Sequence, residues 1–326
     1  MVWRAISRDA ALPGLIVLAA LLAFGVARAT SFGPPPGWQG PLAALRDRLE
    51  PPAPPTSTAL WEVPGARRPS WSAAGALACE GTGGTYLVRG DEARLHPGEG
   101  RLAGASQLLV VSGNTLRPLL GGPPLLEAQA PLREVVSSSG GIAALDEAGA
   151  LYTLQADGPV ATWRLPAGAQ HLALAPGGRA AVFALPRGEG STRLTRLDLR
   201  SGAPLDLGPG DWPAFAEDGT LLWIQPSEDG WELRSDRGPL ISSVSPHALH
   251  SAGDWVALTR AGEGSTVTLA RVDGSAAIEV ETGVVDPRDP ALYLGPGGPA
   301  LAFTAEGTLH RQSLPLALLG RNIPHR

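Results

Sequence analysis

The chain has 326 residues, a formal net charge of −5 and no lysine, so all 26 basic residues are arginines. The negative charge and the lack of basic clusters argue against a nucleic-acid-binding protein. The single cysteine, Cys79, excludes an intramolecular disulfide, so a folded domain must be stabilised by its core.

The first 29 residues have the layout of a secretory signal. Arg4 and Arg8 precede an apolar stretch, Ala10–Ala27, and Ala27-Arg28-Ala29 offers a cleavage site after Ala29. Because the stretch has about 18 residues, it is also long enough for an uncleaved transmembrane anchor. In both cases the flanking arginines place the rest of the chain outside the cytoplasmic membrane, either anchored to it or secreted or periplasmic after cleavage.

Residues 30–57 read as a linker. They contain Pro34-Pro35-Pro36, Pro51-Pro52 and Pro54-Pro55 around one short helical candidate, Leu42–Glu50. Proline-rich segments are stiff and extended, which suits a stalk that lifts a domain off a membrane. The linker therefore favours the anchored form over the secreted one.

A repeated unit follows, over residues 58–316. The sequence GEGST occurs at 188–192 and again at 262–266, a spacing of 74 residues, which corresponds to two units of 37. Self-similarity at such a period is typical of repeat architectures, and four short strands with three turns fit the length. Glycines such as Gly75, Gly140 and Gly219 mark the same turn in successive units.

The strands within a unit differ in pattern. The strand after each marker glycine is an apolar run, as in Ala180–Leu185 and Val256–Leu258, which predicts a middle strand covered on both faces. Later strands alternate, as in Leu205, Asp206 and Leu207, which predicts a half-exposed outer strand.

The ring is expected to close with the start of the repeat region. The last unit supplies only three strands, whereas Thr58–Val63 has no unit of its own. Pairing the two completes a blade and removes two open sheet edges. The prediction is an all-β fold, a β-propeller of four-stranded blades, with seven blades and six as the alternative. Residues 317–326 form a C-terminal tail.

The turns of this repeat resemble those of the extracytoplasmic TolB-type, or WD40-like, β-propellers, which carry a Ser-Pro-Asp-Gly turn between the first two strands of a blade. The nearest matches are Ala175-Pro-Gly-Gly178, Ala216-Glu-Asp-Gly219 and Gly295-Pro-Gly-Gly298, with Asp198–Gly202 as the family's Asp-x-x-x-Gly corner. The resemblance implies the fold and not an activity. TolB itself has an additional α/β domain, so its partners in the Tol system do not follow.

Motifs for catalysis and metal binding are few. The sequence has no Gly-x-Ser-x-Gly elbow of the kind that propeller-linked peptidases need. His247 and His250 have a His-x-x-His spacing, and His171 occupies a comparable place two units earlier, so these residues could converge on a metal. Residues three apart in a strand point to opposite faces, which favours ordinary histidines. No catalytic residue, metal or other cofactor is predicted, with His171 and His247 as weak metal candidates.

Aromatic and charged residues near turns are the candidates for binding. Tryptophan is a common anchor in protein interfaces, and aspartates near the start of a blade could bind a ligand or simply cap a turn. The candidate residues at a rim or at the mouth of the central channel are Trp212, Trp231, Asp211, Asp254, Asp286 and Arg288.

Two functions from different classes fit the sequence. The first is a non-catalytic propeller, membrane-tethered or secreted, that binds another protein or a peptide in the bacterial cell envelope. The second is an extracytoplasmic hydrolase or lactonase with a site at the channel mouth. The absence of lysine and the abundance of Ala, Gly and Pro are typical of GC-rich bacterial genes. The stalk and the missing catalytic motifs favour the first function.

Overall fold

Seven four-stranded antiparallel sheets follow one another along the repeat region. The computed structural model describes residues 59–89, 91–97, 101–103, 108–155, 159–188, 191–228, 230–245, 249–260, 264, 266–295, 298–315 and 318–319. Among these residues no helix is long and apolar enough to cross a membrane. The predicted signal or anchor, the linker, and residues 317 and 320–326 of the tail lie outside them.

Each sheet is one blade of a β-propeller. Blade 1 contains β2 (Arg67–Trp71), β3 (Leu77–Gly81), β4 (Gly84–Arg89) and β5 (Glu92–Pro97). Blade 2 contains β6 (Arg101–Ala103), β7 (Leu109–Ser112), β8 (Thr115–Pro118) and β9 (Leu126–Glu127). Blade 3 contains β10 (Leu132–Ser138), β11 (Gly141–Asp146), β12 (Ala150–Leu154) and β13 (Ala161–Arg164).

The remaining blades have the same order. Blade 4 contains β14 (Gln170–Leu174), β15 (Ala180–Pro186), β16 (Thr192–Asp198) and β17 (Pro204–Pro209). Blade 5 contains β18 (Asp211–Phe215), β19 (Leu221–Ser227), β20 (Gly230–Ser235) and β21 (Gly238–Ser242). Blade 6 contains β22 (His250–Ala252), β23 (Trp255–Thr259), β24 (Thr266–Arg271) and β25 (Ala277–Glu281).

Blade 7 joins the two ends of the repeat region. It contains β26 (Arg288–Tyr293), β27 (Ala300–Ala305), β28 (Thr308–Ser313) and β1 (Ala59–Glu62). β1 pairs antiparallel with β28, from Ala59 opposite Arg311 to Glu62 opposite Thr308. The predicted closure is therefore confirmed, and the number of blades is seven rather than six.

The alternation of strand direction gives the ring two distinct ends. We call the end where every inner strand begins the front face; the second-to-third-strand turns and the links between blades also lie there. The opposite end, with the first-to-second-strand and third-to-fourth-strand turns, is the back face. Residues at equivalent positions of neighbouring inner strands meet, as Arg68 and Asp289 do, so the inner strands run in the same direction.

The core lies between blades. Phe183 and Leu145, for example, are buried in one cluster shared by blades 3 and 4, and Leu222 and Val256 in one shared by blades 5 and 6. The second strands are buried as predicted, with the first five residues of β15 inaccessible to solvent. β17 differs from the prediction, because Leu205 and Leu207 are both exposed together with Asp206. This outermost strand has no further strand to cover it.

Candidate functional site

In the part of the chain that the structure describes, four of the seven inner strands have a bulge at the same place, close to their front ends. The pairing with the second strand shifts between Arg67 and Ser70 in blade 1, and at equivalent points in blades 4, 5 and 7. At each bulge the second residue of the inner strand has a positive φ, and these residues are Arg68, His171, Trp212 and Asp289. The left-handed conformation costs a non-glycine residue roughly 1–2 kcal/mol. The surrounding contacts must offset that cost four times around the channel mouth.

Carboxylates hold three of these strained residues by their backbone amides. Arg68 N–H donates to Asp289 Oδ2 at 3.0 Å, from blade 1 to blade 7. His171 N–H donates to Glu134 Oε1 at 2.8 Å, from blade 4 to blade 3. Trp212 N–H donates to Asp211 Oδ1 at 2.8 Å. A charged acceptor makes these hydrogen bonds stronger than neutral ones, so they fix the bulges in place.

The residue that follows the strained one divides the blades into two kinds. It is a buried proline in blades 1, 5 and 7, namely Pro69, Pro213 and Pro290. Proline has no N–H to satisfy, and bulges are among the few sheet positions that accept it. In blade 4 the residue is Leu172, and its N–H donates to Glu134 Oε2 at 2.6 Å. Glu134 therefore accepts two amides because blade 4 lacks the proline.

His171 connects blades 3, 4 and 5 into one polar cluster. Its Nδ1 hydrogen-bonds with Asp211 Oδ1, and its ring stacks on Trp212 with ring centres 3.6 Å apart and planes 18° from parallel. The side chains of His171 and Asp211 are 21% and 13% exposed. We call Glu134, His171, Asp211 and Trp212 the mouth cluster. It lies at the front end of the channel and is partly open to solvent.

Arginines dominate the opposite side of the mouth. Arg67 Nε lies 3.1 Å from Glu80 Oε2 and Arg68 Nη1 lies 3.8 Å from Glu80 Oε1. The Glu80 side chain is 1% exposed, whereas both arginines are largely exposed. A buried carboxylate is costly unless it is paired, so Glu80 holds the two arginine side chains at the rim.

Five of the six predicted binding residues lie on the front face. Asp211 and Trp212 belong to the mouth cluster, and Trp231 is the second residue of β20, which begins at the same end. Arg288 Nε donates to Asp286 Oδ2 at 2.9 Å, and this hydrogen bond raises the pKa of the arginine. Asp254 lies apart, in the back-face turn between β22 and β23, where Arg271 is 3.6 Å away.

The two candidate tryptophans are half-buried. Both pack against the apolar cluster of blades 5 and 6, so part of each indole belongs to the core and part faces solvent. Such a side chain presents a fixed apolar surface beside a polar tip.

The histidines do not converge on a metal within the described residues. His250 accepts a hydrogen bond from Leu292 N–H at its Nδ1, over 3.2 Å, and burial lowers its pKa to about 4. It therefore joins blades 6 and 7 as a neutral side chain. His247 lies outside the described residues, and no group of three potential metal ligands occurs among the described ones.

Sequence reasoning named Trp212 and His171 but missed Glu134, Arg68 and Asp289, and it missed the left-handed backbone at all four strained positions. Two signals were available. The first is the recurring proline after two polar or aromatic residues, in Arg67-Arg68-Pro69, Asp211-Trp212-Pro213 and Arg288-Asp289-Pro290. The second is the spacing of 37 residues between Glu134 and His171, which is one repeat unit and places them in neighbouring blades.

The fold is similar to those of solved β-propeller structures. Virginiamycin B lyase from Staphylococcus aureus aligns with a TM-score of 0.57 at 12% identity, over 78% of this chain and 98% of that chain. The β-propeller domain of Myceliophteria thermophila Cps50 (Swd1) aligns with a TM-score of 0.56 at 13% identity, over 80% and 100%. A chain of the mitotic checkpoint complex also gives 0.56 at 13% identity, over 81% and 96%.

Sequence identities this low show a similarity of fold alone. The chain is a seven-bladed β-propeller. No protein-family model and no curated protein matches the sequence. TolB from Acinetobacter baumannii aligns with a TM-score of 0.41, over 69% of this chain and 56% of that chain, which carries no argument about the narrower TolB-type class.

Proposed function

We propose that the protein is a non-catalytic β-propeller, of the TolB-like or WD40-like kind, that binds another protein or a peptide in the bacterial cell envelope. The front face is the binding surface. The N-terminal segment either anchors the propeller to the cytoplasmic membrane or directs its secretion, and the proline-rich linker favours the anchored form.

The observation that carries this proposal is the concentration of strained, half-exposed side chains at the front mouth. Non-glycine residues in the left-handed conformation are found mainly at functional sites, where the surrounding structure holds them in place. Arg68, His171 and Trp212 are held in this way by Asp289, Glu134 and Asp211. Side chains that are already fixed lose little conformational entropy when a partner binds.

The mixture of residues also suits a protein or peptide. Trp212 and Trp231 offer apolar surface, and Arg288 and Arg68 offer exposed guanidinium groups. Tryptophan and arginine are enriched among the residues that contribute most to protein interfaces. A solved neighbour of similar fold is itself part of a multiprotein assembly, the mitotic checkpoint complex.

The test is crosslinking of the full-length protein in intact bacterial cells, followed by identification of what co-purifies. Trp212→Ala and Arg288→Glu should each remove the reproducible partner. Arg237→Glu is the matched control, because Arg237 is also exposed and paired with one aspartate, Asp218 at 3.0 Å, but lies on the back face. Equal partner recovery in all three variants would contradict the choice of face.

Fractionation of the same cells tests the compartment. An anchored protein should sediment with the membranes and keep its first 29 residues. A soluble mature protein that starts at Thr30 would show cleavage after Ala29 and overturn the anchored form.

The second candidate function is an extracytoplasmic hydrolase or lactonase with its site at the channel mouth. The pairing of His171 with Asp211 at that mouth is the observation that favours it. A histidine-to-alanine variant of the neighbouring virginiamycin B lyase is catalytically inactive, so a propeller can support chemistry that depends on a histidine.

A further inference from the structure

The His171–Asp211 pair fixes which ring nitrogen of His171 is available. An ionised carboxylate only accepts hydrogen bonds, so Nδ1 must carry the proton that it donates to Asp211 Oδ1. In the neutral imidazole, Nε2 then keeps its lone pair. Within the described residues no hydrogen bond occupies Nε2, and the side chain is 21% exposed.

Several contacts hold the ring in one orientation. Its backbone amide is bonded to Glu134, one face of the imidazole stacks on Trp212, and Nδ1 is bonded to Asp211. The partners come from the two neighbouring blades, 3 and 5, and a rotation of the ring would break both contacts with blade 5. An oriented imidazole with a carboxylate on Nδ1 and an open Nε2 is the arrangement of a general base.

We propose that His171 is a general base that activates water for hydrolysis of a carboxylic ester at the front mouth of the channel, with Asp211 as its positioning residue. This inference rests on the second candidate function. It replaces the non-catalytic part of the first proposal and leaves partner binding at the front face as a separate question. Water is the nucleophile because, within the described residues, the hydrogen-bond partners of His171 include no hydroxyl or thiol side chain.

The step balances without a cofactor. Nε2 takes a proton from water while the water oxygen bonds to the carbonyl carbon of the ester. The tetrahedral adduct then collapses, the carbon–oxygen bond to the leaving group breaks, and the proton on Nε2 passes to the leaving alkoxide. The products are a carboxylic acid and an alcohol, and the imidazole is neutral again. The Asp211 carboxylate stabilises the transient imidazolium.

The test uses p-nitrophenyl acetate as the probe and the folded full-length protein. Release of p-nitrophenolate by the wild type should exceed that by His171→Gln by about 100-fold, the usual contribution of a general base. His96→Gln is the matched control, because His96 is a half-buried histidine on the outer strand of blade 1, and it should match the wild type. The part of the wild-type rate that exceeds the rate of His171→Gln should also fall in deuterated water, because a proton moves to Nε2 while water attacks.

Asp211→Asn keeps an oxygen acceptor for the Nδ1 proton of His171. It tests the general-base proposal if His171→Gln does not fold. It should lower the rate at least about tenfold. Equal rates in the wild type and a folded His171→Gln or Asp211→Asn protein would overturn the proposal, as would an equal loss in His96→Gln. Partner recovery by crosslinking is measured separately in the same variants. A negative ester assay therefore contradicts only the esterase proposal, and the binding proposal is decided by the crosslinking result.

Discussion

The junction between blades 7 and 1 and the junctions from blade 3 to blade 5 stabilise the same strand bulge by different means. At the first, Pro69 and Pro290 remove the amides, and Trp71 stacks on Tyr293 with ring centres 5.2 Å apart. At the second, Leu172 keeps its amide and Glu134 has to accept it. The first junction combines aromatic packing with a single carboxylate–amide hydrogen bond, from Arg68 N–H to Asp289 Oδ2. The second is a polar network whose members are half-exposed.

This difference shows how one backbone geometry can serve two purposes. A junction that depends on aromatic packing is stable, and its binding groups are limited to the charged side chains at its rim. A polar junction places charged and hydrogen-bonding groups at the channel mouth, where they are partly accessible. When one member of a polar network is lost, its partners are left without a hydrogen bond, and this carries a desolvation penalty. The two junctions should therefore respond differently to mutation.

Trp71→Ala should cause the largest loss of stability. Trp71 is buried between blades 7 and 1, and its Nε1–H donates to the Ala291 carbonyl at 3.1 Å. Removing a buried tryptophan costs about 3–5 kcal/mol through lost contacts and a cavity. Urea unfolding measures this cost, with the half-buried Trp163→Ala as the control that should lose less. Equal losses would mean that the closing junction is not specially dependent on its aromatic packing.

Glu134→Ala should lower the free energy of unfolding by about 3 kcal/mol, because two amides lose an acceptor that carries a charge. Glu147→Ala, an exposed glutamate in a turn of the same blade, is the control and should change stability by less than about 0.5 kcal/mol. Chemical denaturation at constant pH measures both. If Glu134→Ala lost no more unfolding free energy than Glu147→Ala, the Glu134 carboxylate would not be needed to stabilise the bulge of blade 4.

The fold could be predicted from the sequence more fully than the mouth cluster. The repeat of 37 residues, the apolar runs such as Ala180–Leu185 and the unpaired Thr58–Val63 were enough for seven blades and their closure. These are patterns within one unit, so they need no knowledge of neighbouring blades. Glu134 and His171 meet across blades, and the spacing gives only their adjacency. The directions of the His171 and Asp211 side chains depend on bulges in the inner strands, and the hydrophobic pattern of the sequence does not show these bulges.

The junction between blades 6 and 7 provides a third solution, a neutral histidine, and it predicts a pH dependence. His250 accepts the Leu292 amide, and burial lowers its pKa from the usual 6.5 to about 4. The unfolded chain therefore binds more protons between these values, so stability falls as the pH drops from about 6.5 towards 4. The loss from this group should be about 2 kcal/mol between pH 7 and pH 4.5.

His250→Asn isolates that contribution, because the Asn Oδ1 can accept the same amide without titrating. Denaturation of the wild type and the variant at a series of pH values gives the difference. A constant difference across the range would show that His250 is not the group responsible.

The smallest effect is expected for Leu172→Pro, which gives blade 4 the proline of blades 1, 5 and 7. The substitution removes the amide that Glu134 Oε2 accepts, so no amide is left unsatisfied. The remaining cost is the loss of part of the buried Leu172 side chain from the core, about 1–2 kcal/mol. In this background Glu134→Ala should cost about half as much as in the wild type, since only the His171 amide still depends on the carboxylate. The double-mutant cycle is measured by urea unfolding. An unchanged cost of Glu134→Ala would show that the missing proline is not the reason for the second hydrogen bond.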